Sequence, residues 1–108
     1  MKIKQLKKIT IGDVVWYIKW DKNVSGASFG YATDELQSEL IIGIRTIKTN
    51  PEHVLAILIH ELKEILHVEQ HTRFSCGDAE GLYEFHYSHR DHTNLCCRLA
   101  GLLTQFIE

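Results

Sequence analysis

The segment NPEHVLAILIHELKEILHVEQH, residues 50–71, constrains this chain more than any other part of it. Asn50 is a good helix cap, Pro51 suits the first helical position, and Glu52 suits the positive end of a helix dipole. The pattern predicts one helix from about Pro51 to His71. With His60 as origin and ~100° per residue, Leu55, Leu58, Ile59, Leu62, Ile65 and Leu66 fall between roughly 140° and 260°. On the same wheel Glu64 lies at ~40°, His67 at ~−20° and His71 at ~20°. Such a helix lays its apolar side on a core and turns a row of His and Glu towards a cleft or towards solvent.

The segments before it read as strands. KKITIGD and VVWYIKW are rich in β-branched and aromatic residues, and Gly12-Asp13 between them suits a turn. DKNVSGAS, residues 21–28, reads as a polar loop. FGYATDE and ELIIGIRT are expected as two more strands with a turn near Leu36 to Ser38, and the more apolar ELIIGI belongs inside the sheet. TRFSCGD reads as a loop, GLYEFHYSH as extended, and RDHTNLCCRLAGLLTQFI as a closing helix with its stripe at Leu95, Leu99, Leu102, Leu103 and Phe106. The expected fold class is α+β: an antiparallel-rich N-terminal sheet of about four strands, a long helix carrying the site, and a C-terminal helix. A chain of 108 residues supports one core, so residues 1–108 are read as one domain.

A net charge of −2 argues against a nucleic-acid or anionic-membrane partner held by bulk electrostatics, since both require a basic face. MKIKQLKKITIGD lacks the uninterrupted apolar segment of a secretion signal, and a cytoplasmic protein is expected. Cys76, Cys96 and Cys97 are an odd set with two adjacent members, which suits reduced thiols better than a disulfide framework. Seven residues are histidine, about three times ordinary usage, and six of them lie between His60 and His92. Imidazole is the commonest metal-binding side chain, so this local excess bears on function.

Side chains one helical turn apart converge on a common point, which is what a metal ion needs. His60 and Glu64 meet that spacing, and Glu61, about 100° round the helix, flanks them. The pattern is that of His-Glu-x-x-His, in which the Glu serves as general base, with a carboxylate in place of the second imidazole. Zinc accepts carboxylate oxygen, and the added charge favours harder ions such as manganese or iron. The plainer alternative is a surface helix whose polar stripe happens to contain His and Glu. His67 and His71 form another i, i+4 pair but lack the accompanying base, and are read as surface residues or supports of the site. His53 is read as a solvated first-turn residue. Candidates for a third ligand are His86, His89, His92, Asp78 and Glu80. His89 is preferred because it stands where the extended segment gives way to the last helix. Glu64 and His67 also form an ExxH pair, but a two-metal centre needs a second such pair, which the last helix lacks.

In the order of these features the chain resembles small zincin-like proteins encoded by bacteriophages and prophages, related in outline to minimal metallopeptidases of the phage-repressor-cleaving class. The resemblance rests on LIIGI in a late strand, the Pro-led helix with His60-Glu61, the loop, and a closing helix opened by a histidine. It implies a minimal zincin-like fold with His60 as first ligand and Glu61 as base. Glu64 stands in the second ligand's place, where the common form has histidine, and His89 corresponds approximately to a histidine before the final helix. The activity so implied is metal-dependent hydrolysis, with one divalent ion, zinc first, acting on a peptide or protein in a host cytoplasm. The alternative is a non-catalytic interaction or inhibitor protein that keeps the zincin shape, with a structural metal or none, and sequesters a host protein.

Overall fold

The computed structural model describes residues 2–33, 36–75 and 83–108. Strand β1 (Lys8–Ile11) and strand β2 (Val14–Asp21) form an antiparallel hairpin in which Ile9 faces Trp16. The turn is Gly12-Asp13 as expected, and Gly12 takes a left-handed φ of 60°, which costs glycine nothing. Ile9, Ile11, Trp16 and Ile18 are buried, whereas Val15 and Tyr17 face outward, so the hairpin offers one face to the core.

Strand β3 (Ala27–Gly30) and strand β4 (Glu39–Gly43) complete a sheet of order β1-β2-β4-β3. β4 lies inside the sheet, as its apolar sequence predicts, with Leu40 and Ile42 fully buried. β3 occupies residues 27–30, earlier than FGYATDE suggests, and residues 34–35 of that segment lie outside the described residues. The sheet is mixed. Its β1/β2 and β3/β4 pairs are antiparallel, but β2 and β4 run parallel, because the chain passes out to β3 and returns between β3 and β2.

Helix α1 (Pro51–Glu69) begins as predicted: the Asn50 side chain accepts from the His53 backbone N–H and Pro51 opens the first turn. It ends two residues before His71. His71 adopts φ 58°, its N–H donates to the Val68 carbonyl, and the Thr72 N–H donates to the His67 carbonyl. These are the two bonds of a Schellman ending, with histidine where glycine is usual. His71 therefore leaves the helical stripe on which the sequence places it. The apolar side of α1 buries Val54, Leu58, Leu62, Ile65 and Leu66 completely, joining Trp16, Leu40 and Ile42 in one core.

The segment read as a loop holds a short strand, β5 (Arg73–Ser75), paired antiparallel with β6 (Tyr83–Phe85). Helix α2 (His89–Leu103) packs on α1 and starts with a reciprocal cap between Ser88 and Asp91. Arg98 of α2 reaches Glu69 of α1 at 2.6 Å. Beyond α2, Phe106 is buried against Trp20 and Ile3 bridges to Ile107, tying the two ends of the described chain together. The class is α+β, with a four-stranded sheet and two helices. Among the described residues no helix is long and apolar enough to cross a membrane.

Candidate metal centre

Helical geometry brings three side chains of α1 together. His60 Nε2 lies 3.4 Å from Glu64 Oε2 and 3.9 Å from Glu61 Oε1. One donor atom from each of the three falls within 4.8 Å of the other two, and this group is able to hold a metal ion. A tetrahedral ion at usual zinc–nitrogen and zinc–oxygen distances separates two of its donors by about 3.4 Å. The His60–Glu64 spacing matches that edge, so neither side chain has to move far to share an ion.

The three residues differ sharply in exposure. His60 has a side chain 72% exposed, whereas that of Glu64 is 15% exposed and that of Glu61 only 9%. The wheel explains Glu61: at about 100° it adjoins Val54 and Ile65, at about 120° and 140°, on the margin of the buried face. Burial pushes the Glu61 carboxyl above its ordinary range; the His60 and Arg73 charges pull it down, and the Glu64 charge adds to the rise.

Arg73, on β5, supplies what the sequence reading missed. Its Nε lies 3.4 Å from Glu64 Oε1, an ion pair without hydrogen-bond alignment, and its guanidinium stands 3.5 Å from the Tyr83 ring centre and 5.5 Å from that of Phe29. One Glu64 oxygen thus faces Arg73 and the other faces His60, which fixes the carboxylate plane. No motif announces Arg73: it is a single cation inside TRFSCGD, and only the β5/β6 ribbon carries it back to α1.

Two clefts meet at His60. One, of about 410 Å³, runs between His53, Ala56 and Ile57 of α1 and Gly26-Ala27 at the start of β3, with His60 and Glu61 in its wall. The other, of about 200 Å³, is lined by His60, Lys63, Glu64, His67 and Phe85. His53 is exposed, as expected, and borders the larger cleft.

His67 is not a surface residue. It is 3% exposed, with its ring 4.7 Å from that of Phe85 and 5.2 Å from that of Tyr87. The Schellman turn causes this by folding Thr72 back onto it. Thr72 Oγ1 donates its hydrogen to the His67 carbonyl, so the 2.8 Å contact with His67 Nδ1 has the ring nitrogen as donor. Burial, reinforced by the charge of Lys63, holds the imidazole below its ordinary value of 6.5. Its contribution to stability is full above that value and is lost as pH falls below it, because the unfolded chain takes up the proton first. A His67→Gln variant is expected to be less stable by about 1–3 kcal/mol near neutrality. Its melting temperature should also fall less than that of the native chain between neutral and mildly acidic pH. Parallel pH profiles of melting temperature would contradict the assignment.

His89 does not join the group on α1. It is exposed at the first residue of α2, and its ring lies 6.5 Å from that of His92. The group of donors on α1 consists of His60, Glu61 and Glu64, and His89, the preferred third ligand, is not among them. His86 pairs with Glu84 at 2.9 Å, and His92 stacks on Tyr87. Asp78 and Glu80 lie outside the described residues. Comparison with protein-family models, curated proteins and solved structures finds no match to this chain.

Proposed function

We propose that this protein is a metal-dependent hydrolase of peptide bonds, with one divalent ion, zinc first, held by His60 and Glu64, and Glu61 as general base. The observation that carries the proposal is the 3.4 Å spacing of His60 Nε2 and Glu64 Oε2 beside a buried carboxylate. The ion would supply Lewis acidity towards a carbonyl oxygen. Glu61 takes a proton from the attacking water onto a carboxylate oxygen and returns it to the leaving amine. Burial raises this carboxyl, the direction that makes it a stronger base. The resemblance to small zincin-like proteins supports the same assignment of His60 and Glu61.

The larger cleft suits an extended chain. β3 has β4 on one side only among the described strands, and Ala27 of β3 lines the cleft beside His60 and Glu61. A peptide pairing with that free edge would lie along the reacting groups. Arg73 is assigned as a positioning residue for Glu64. Replacing it with Gln is expected to weaken zinc affinity by about 10–100-fold in a calorimetric titration; unchanged affinity would remove it from the site.

The direct test is to strip the protein with chelator, restore zinc or manganese, and follow cleavage of an unstructured protein such as casein. Metal-dependent cleavage supports the reading. Zinc binding without cleavage would favour a second reading, an interaction protein that keeps the metal for its structure. The aromatic surface near the site favours that alternative, since Phe74, Tyr83, Phe85 and Tyr87 are each 40–48% exposed.

A further inference from the structure

The exposed face of α2 carries a second set of donors. His92 Nε2 lies 3.8 Å from Cys96 Sγ, one helical turn further on, and His89 precedes His92 by three residues on the same side. All three are exposed, and Cys96 is a free thiol. Tetrahedral zinc bound by one imidazole nitrogen and one thiolate sulfur separates them by about 3.6 Å, close to the spacing found here. Tyr87 stacks on the His92 ring at 5.9 Å and 15°, which limits its rotation. Asp91 lies in the same first turn and offsets the positive end of the helix dipole, which would otherwise repel a cation.

We propose that His92 and Cys96 form a separate two-donor binding site for a borderline or soft metal ion of the zinc class, with water completing the coordination. Its donors differ in kind from those of α1. A thiolate with an imidazole selects zinc or copper(I), whereas one imidazole and carboxylates also accept harder ions. Binding converts the Cys96 thiol to thiolate and releases its proton to solvent. His92 thus has a role that does not require it to reach across to α1.

Cobalt(II) titration of the full chain in a non-thiol reductant tests this, because thiolate ligation gives an intense near-ultraviolet charge-transfer band that imidazole and carboxylate do not. The native chain should show the band. Cys96→Ser should abolish it and His92→Ala weaken it. Cys97→Ser, His60→Ala and Glu64→Gln should all retain it. Circular dichroism of Cys96→Ser should match the native spectrum, since the position is exposed. No band at saturating cobalt, or a band surviving Cys96→Ser, overturns the proposal. Loss of the band in His60→Ala would overturn it too, because the thiol would then belong to the α1 centre.

Discussion

Glu61→Gln is expected to lower peptide hydrolysis by about 10²–10⁴-fold, the usual contribution of a positioned general base, while the protein keeps its metal. The amide preserves the size of the side chain on the margin of the buried face but cannot accept the proton. His60 and Glu64, the two donors at tetrahedral spacing, are untouched. Turnover within a few-fold of the native value would remove Glu61 from the base's role. Loss of metal with the activity would make Glu61 a ligand, a place its membership of the same donor group also allows.

The same variant carries a stability signature of defined sign. A carboxyl raised by burial is held more readily in its protonated form by the folded chain than by the unfolded one. Its contribution is full below the ordinary value of 4.5 and is lost as pH rises through the raised value. Gln cannot ionise, so metal-free Glu61→Gln should melt higher than the metal-free native chain at neutral pH. The difference should shrink towards pH 4. A bound cation reverses the preference by stabilising the carboxylate, so the gain should vanish when zinc is added.

The second large effect belongs to Gly43. A Cβ at this position would stand 2.5 Å from the carbonyl oxygens of Val24 and Gly26 and 2.7 Å from the Val24 carbonyl carbon. These are backbone atoms already engaged: Gly43 N–H donates to Gly26 O, and Arg45 N–H donates to Val24 O. No rotamer relieves such a contact. Gly43→Ala should therefore cost about 3 kcal/mol, the upper part of the range for overpacking. In a domain of this size that lowers the melting temperature by about 10–20 °C. The loop being pushed carries Gly26, part of the wall of the larger cleft, so the damage reaches the groove while sparing the α1 donors. Gly30→Ala is the control, with nothing within 4 Å of its Cβ, and should melt close to the native chain. A near-native melting temperature for Gly43→Ala would show that this loop is not held as described.

What could be read from residues alone followed from local rules. The Gly12-Asp13 turn, the Asn50 cap with Pro51, the buried β4 and the convergence of His60 with Glu64 each depend on neighbours within one turn or one strand. The failures share a cause in tertiary placement. His67 sits on the polar stripe by angle, yet Thr72, Phe85 and Tyr87 fold over it. His71 leaves the stripe because a histidine takes the left-handed position that glycine usually fills. β5 is three residues long, too short for alternation to register, so Arg73 passed as part of a loop. The parallel β2/β4 pair depends on the route through β3, which side-chain pattern does not encode.

The proposed hydrolytic centre depends on a cation shared by His60 and Glu64. The most direct test is zinc content after exhaustive dialysis, measured on Cys96→Ser protein so that the α2 thiolate contributes nothing. About one zinc per chain is expected, falling towards zero when His60→Ala or Glu64→Gln is added. No retained zinc, or zinc retained equally in all three proteins, would contradict it.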